Sequence, residues 1–403
     1  MELFWLEHKK LWRKKIVKIC VLLCFVYCVI FGSILSFQWF SFGSSDDYTS
    51  AFGNNFDGYT VIKDSQEYAL SFGGELTDET LQQIVSDYQQ MEADGMEEEL
   101  EKTDWQIVNS WLGTLYPELR DTGNYKTMIS YVDPDKLTGF YERRQQVLDE
   151  FLEVSGQVGA EKEYLHQIDG KVEKPFHYEW VEGWSTLLGS MVADLGVVMA
   201  LFLGIVLSSL FAGEWHDNTS TLVLTTRNGW GKIALAKILT GLAFTVELFA
   251  LLAVSSVISQ LFFMGTAGWD MPIQNIKLIA VAPMNMLQAE IYEYAFVLLG
   301  AIGFAGIVMF ISAAVKNNVL TLLLSLAVVY GPMMIAEYLP YEMQKALDLI
   351  PLVGSSTDIF RTNTFRIFGK LIWSPYLLIT IPVLIGILCM PFAIKSWSRR
   401  MKA

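Results

Sequence analysis

Between Ser185 and Phe211 the chain reads STLLGSMVADLGVVMALFLGIVLSSLF, with Asp194 as its single charge. Roughly 20 apolar residues in a helix span about 30 Å of hydrocarbon, so such a run belongs in a bilayer. Similar runs recur, and reading the chain for them places spans at about 16–40, 186–213, 233–264, 295–315, 319–338 and 374–394. The expectation is an all-α polytopic membrane protein with six transmembrane helices. A hydrophobic share of 52%, 18% charged residues and a mean hydropathy of +0.35 agree with that class.

The net charge of -14 is unevenly placed. Residues 41–185 carry 30 of the 43 acidic residues and only 10 of the 29 basic ones, a net of -20 against +6 for the remainder. Lys9, Lys10, Arg13, Lys14 and Lys15 precede the first span, and Lys395, Arg399, Arg400 and Lys402 follow the last. Positive flanks mark the cytoplasmic side, so both termini read as inside and 41–185 as an extracytoplasmic domain between helices 1 and 2. The first span is too long for a signal-peptide core and lacks a small-x-small cleavage site, so it is expected to be retained.

Residues 1–15, MELFWLEHKKLWRKK, suit an amphipathic in-plane helix: Phe4, Trp5, Leu11 and Trp12 gather on one side, with Glu2, Lys9 and Arg13 opposite. The 41–185 domain is long enough to bury a core of its own. It is expected to be mostly helical, because Leu81, Ile84, Val85 and Tyr88 form one stripe and Val147, Leu148, Phe151 and Leu152 another. The run Glu97 to Glu101 reads as a solvated helix face. Residues 186–394 hold helices 2–6, with an inner loop at 214–232, and 395–403 form a cytoplasmic tail. Gly300, Gly303 and Gly306 predict close helix approach on the fourth span, and Gly331-Pro332 predicts a kink in the fifth.

Cys20, Cys24, Cys28 and Cys389 all sit in apolar runs, so no disulfide staples the outer domain. The first three share a helix face, as packing residues do. The four His show no metal-ligand spacing. The chain has no GxxxxGK[ST] loop, no HExxH and no GxSxG, and no nucleophile stands beside a plausible base. Two carboxylates inside the apolar runs, Asp194 and Glu247, mark a candidate intramembrane pathway. Counted from about residue 233, Glu247 lies about 21 Å into the third span. It is expected to face the bundle interior or a wet cavity. If this chain does work across a membrane, the energy comes from another subunit.

The inner loop reads AGEWHDNTSTLVLTTRNGWGKIALAK from Ala212 to Lys237. Together with the basic in-plane helix and the six spans, it resembles the permease subunits of type 2 ABC transporters. Glu214, Thr219, Leu222, Leu224, Thr225, Lys232, Ile233 and Lys237 match the pattern of that family's loop. Asn218, Arg227 and Trp230 replace its usual Gly, Pro and Arg. The resemblance implies a coupling helix docked on a separate ATPase, with Glu214, Thr219, Leu222, Thr226, Arg227 and Trp230 as the contact set. Leu222, Thr226 and Trp230, four apart, would share one face of such a helix, and Gly229 and Gly231 would end it.

It implies partners as well: ABC ATPase subunits, a second permease chain and the lipid bilayer, with no nucleic acid. No cofactor is expected on this chain, and ATP and Mg would sit on the ATPase. The implied activity is export of a hydrophobic, peptide or lipid-like substrate from a bacterial cytoplasmic membrane, with antimicrobial-peptide export or immunity as one form. Two alternatives stand beside it: a mechanotransmitting ABC permease that acts through its outer domain, and a receptor or scaffold without an ATPase.

Overall fold

The structure, a computed structural model, describes residues 2–30, 66, 73–95, 105–121, 126–216, 231–354, 360 and 363–399. The chain is mostly helical, and among the described residues five helices are long and apolar enough to cross a membrane: Asp194–His216, Lys232–Phe262, Met286–Ala314, Asn318–Tyr338 and Ser374–Ser398. They correspond to α8 (Val192–His216), α9 (Lys232–Met264), α10 (Met286–Ala314), α11 (Asn318–Ile335, continued by a 3-10 turn to Tyr338) and α13 (Ser374–Arg399). Ahead of them α1 (Glu2–Arg13) and α2 (Lys15–Val29) meet at Lys14. Residues 31–40 of the expected first span lie outside the described residues, as does the Glu97–Glu101 run.

Helix α10 begins about nine residues before the apolar run suggested. Asn285 accepts from the Gln288 amide at 2.8 Å and Gln288 returns a bond to the Asn285 amide at 3.2 Å. This capping box satisfies two orphan donors and fixes the start at Met286. Glu290 and Glu293 are thereby drawn into the long helix. Hydropathy alone placed them before it.

Helices α8 and α10 are central, while α11 and α13 are mostly exposed along their length. Small residues explain how α10 packs on α13. A Cβ on Gly303 would strike the Pro382 carbonyl, and one on Gly306 would strike Gly386, so the backbones touch. Between α10 and α8, Ser312 donates to the Ser208 carbonyl at 2.7 Å and accepts from the Phe211 and Ala212 amides. Cys20, Cys24 and Cys28 are all buried on one face of α2, which packs against α9 and α8. Leu323, Met334, Phe262, Leu388 and Phe392 remain exposed on the outer faces. Apolar faces of this kind fit surroundings other than water.

The described residues between 73 and 181 form a second layer. It holds α3 (Asp78–Ala93), α4 (Trp105–Leu115), α5 (Phe140–Val154) and α6 (Ala160–Asp169). Thr77 caps α3 by accepting from the Thr80 amide, and Asp78 and Glu79 complement the first turn. Strand β1 (Gly74–Leu76) pairs antiparallel with β2 (Phe176–Tyr178), Glu75 opposite His177, which ties the start of this layer to its end. Helix α7 (Glu182–Thr186) then leads into α8. Against the same layer, α12 (Tyr341–Leu347) precedes a hairpin of β3 (Thr364–Ile367) and β4 (Lys370–Trp373), whose Thr364 donates to Gln157 at 2.7 Å and whose Arg366 pairs with Glu161 at 2.5 Å. Phe368 and Gly369 at its tip both have positive φ, as the tight turn requires.

The second layer is docked on the connection between α9 and α10. Arg144, fully buried, holds Asp169 at 2.6 and 3.2 Å and donates to the carbonyls of Leu278 and Ala280 at 2.8 and 3.0 Å. Trp111, Trp180 and Trp184 donate their indole N–H groups to Asn275, Met264 and Ala267, each at 2.9 Å.

Candidate functional site

At the opposite end of the bundle, the base of α8 and the start of α9 meet α1 through buried charge. Glu214 Oε1 lies 2.8 Å from Lys237 Nζ and 2.5 Å from Lys10 Nζ. Lys237 also reaches Glu7 Oε2 at 2.8 Å. The Lys237 and Glu214 side chains are only 2% and 4% exposed, so water screens their attraction little. Nearby, Lys14 Nζ donates to Ser209 Oγ at 2.9 Å. A cavity of about 30 Å3 remains among Glu7, Lys14, Gly213, Glu214 and Lys237, room for one water among polar partners.

Each element contributes by its own spacing. In α1, Glu7, Lys10 and Leu11 lie three and four residues apart and so share one face, while Lys9 and Arg13 are exposed on another. Leu11 is buried and Trp12 packs edge-on to Phe244 at 5.9 Å. The other flank of α8 is held by aromatic contacts. Lys316 Nζ sits 4.3 Å above the Trp215 ring, and Trp215 meets Trp397 at 6.1 Å. Both chain ends that border residues 217–230 are therefore anchored, α8 through Glu214 and Trp215 and α9 through Lys237.

Of the sequence-predicted coupling set, Glu214 belongs to this cluster, while Thr219, Leu222, Thr226, Arg227 and Trp230 lie outside the described residues. Lys237, matched in the loop pattern but not singled out, is Glu214's direct partner. Glu7 and Lys10 were missed, since nothing local relates them to residues more than 200 positions away.

Glu247 requires a correction. Instead of facing the bundle interior it is partly exposed and bound by α1: Trp12 Nε1 donates to it at 3.0 Å and His8 Nε2 lies 3.2 Å away. The depth counted from residue 233 misleads because α9 runs for 33 residues, about 50 Å. That exceeds a hydrocarbon layer of about 30 Å, and the stretch from Lys237 to Glu247 lies alongside the polar α1. Asp194 is exposed at the other end of α8, beside Tyr27, and does not meet Glu247.

Two further buried carboxylates, Glu290 and Glu293, stand on α10. Glu290 is 4% exposed, and neither of its oxygens reaches hydrogen-bond geometry among the described residues. Tyr294, one turn on, bonds Ser256 of α9 at 2.7 Å. The antiparallel run of α9 and α10 sets Gln260, one turn beyond Ser256, at the level of Glu290. Gln260 is fully buried, with both amide atoms unpartnered among the described residues. No group of three or more His, Cys, Asp or Glu able to hold a metal ion occurs among the described residues.

Comparison with protein-family models, with curated proteins and with solved structures finds no match.

Proposed function

We propose that this chain is the membrane-spanning permease subunit of an ATP-binding-cassette exporter. In this reading both termini and residues 217–230 face the cytoplasm, α1 lies along the inner headgroup layer, α2 begins a sixth span, and the 41–185 domain is extracytoplasmic. A separate ATPase holds ATP and Mg, and a second permease chain covers exposed apolar helix faces. One observation carries the reading: the Glu214–Lys237 pair, closed by Lys10 and Glu7, braces both ends of the 217–230 segment. A loop that must pass force to two helices needs such a footing, because a compliant base would absorb the movement. The brace also engages α1, so displacement of the loop reaches three helices together. The test is purification of the full chain from its own cell membrane in mild detergent. The reading expects an ATP-hydrolysing subunit to accompany it, and a chain that purifies alone, with no added ATPase activity, contradicts it.

The mechanotransmitting alternative has its own support. Arg144, Trp111 and Trp180 of the 73–181 layer, with Trp184 of α7, make five hydrogen bonds to backbone carbonyls of the α9–α10 connection and the end of α9. Movement of α9 and α10 would thus carry that layer with it. Export and outer-domain motion make different predictions for a substrate, which crosses the bilayer only in the first.

A further inference from the structure

A cavity of about 450 Å3 lies where the 73–181 layer meets the α9–α10 connection. That is the size of sites that take small organic molecules. Its walls are mainly apolar, with Trp111 and Phe151 from the outer layer, Leu278 from the connection and Phe360 beside them. The polar groups on it are unequal. Asn275 is 1% exposed; its Nδ2 is bonded to the His177 carbonyl at 2.6 Å, and its Oδ1 has no donor among the described residues. Trp111 already donates to the Asn275 carbonyl, so the indole cannot supply that donor. Glu182 is the one carboxylate on the wall among the described residues. Lys277 also lines the cavity and has a partner of its own.

A carboxylate in an aromatic cavity calls for a ligand with donors and positive charge. A buried carboxylate without a charge partner is costly, and a cationic ligand relieves that cost. An ammonium carries three donors and no acceptor, and the faces of Trp111 and Phe151 favour a cation. Outside the cavity, the net charge of -20 on residues 41–185 raises the local concentration of cations. One carboxylate is too few for a divalent metal.

We propose that this cavity binds a cationic amphiphile, its ammonium head on Glu182 and its apolar body against Trp111, Phe151 and Leu278. This names a substrate class for the exporter and rests on that reading for its role in transport, while binding itself is measured without it. Burial pushes the Glu182 carboxyl up, against a side-chain hydrogen bond with Ser185. An ammonium beside it stabilises the anion, so binding releases a proton and tightens as pH rises.

The experiment is calorimetric titration of the full chain, purified in lipid nanodiscs, with octylammonium, octanol and octyl sulfate. Octylammonium is expected to bind, and the other two are not. Glu182→Gln should weaken octylammonium by about tenfold or more, as loss of a charge-assisted bond does. Thr114→Trp, which fills the cavity from α4 without touching its charges, should abolish binding, and Lys277→Met should leave it intact or tighter. Binding of octyl sulfate that is lost in Lys277→Met would overturn the assignment. So would equal binding by Glu182→Gln and wild type, or no binding by any probe. If octylammonium binds but no ATPase accompanies the chain, the exporter reading fails and the cavity assignment stands. If an ATPase co-purifies and octylammonium does not bind, the reverse holds.

Discussion

Lys237 Nζ and Glu214 Oε1 lie 2.8 Å apart, both side chains almost completely buried, although 23 positions separate them in sequence. Their pairing closes the base of α8 on the base of α9. A buried pair of this kind contributes little net stability over apolar residues, but removing one member leaves a charge without compensation.

Glu214→Ala should therefore destabilise the chain, though by less than the roughly 3–5 kcal/mol of a fully unpaired buried charge, since Lys237 would stay buried with Glu7 as its remaining carboxylate. The double variant Glu214→Ala with Lys237→Met should recover much of that loss. Thermal unfolding in detergent of the two single variants and the double gives the coupling between them. Additive losses would mean that the two charges are independent of each other.

Helix α10 meets α13 without side chains between them. Gly303→Ala places a methyl against the Pro382 carbonyl, and Gly306→Ala places one against Gly386. Each should cost about 1–3 kcal/mol as overpacking, while Gly331→Ala on α11, where a Cβ meets open space, should cost far less. Melting temperatures of the three variants rank the contacts. Equal values for all three would show that α10 and α13 do not pack this closely.

Arg144 joins α5 to α6 and to the α9–α10 connection. Arg144→Met should leave Asp169 buried and uncompensated, at a cost of about 3–5 kcal/mol. The five long helices should persist while the outer layer loosens, so limited proteolysis should cut between 265 and 285 in the variant only. Wild-type resistance in Arg144→Met would place the docking elsewhere.

Glu182 sets a pH dependence of defined sign. Burial raises its carboxyl above the ordinary 4.5, so the folded chain holds that proton more tightly than the unfolded one. Its contribution to stability is present below the ordinary value and is lost as pH rises through the raised one. Glu182→Gln, which cannot ionise, should flatten that part of the stability profile. Parallel wild-type and variant profiles above 4.5 would remove Glu182 as their cause.

Much of this architecture is readable in the amino-acid order because apolar length and spacing are local. Five long helices, the buried face of Cys20, Cys24 and Cys28, and the close approach at Gly303 and Gly306 all follow from such patterns. Hydropathy missed the start of α10 because Glu290 and Glu293 lower it over the first turns, and the start is set by the Asn285–Gln288 cap. The partners of Glu214 and Glu247 on α1 were not legible, since their pairing depends on how α1 lies along α9. Glu290 had no signal as a buried carboxylate until the helix around it was defined.

The most direct test of the central claim is photo-cross-linking from position 226 in native membranes, with the captured protein identified by mass spectrometry. With a photoreactive residue replacing Thr226, the account predicts capture of an ATP-hydrolysing subunit, and the same capture in Glu214→Ala should fall about tenfold or more, in keeping with the loss of a buried ion pair at the loop's base. Capture of no nucleotide-binding protein from position 226, or labelling of a cysteine placed there by a membrane-impermeant reagent in intact cells, would contradict it.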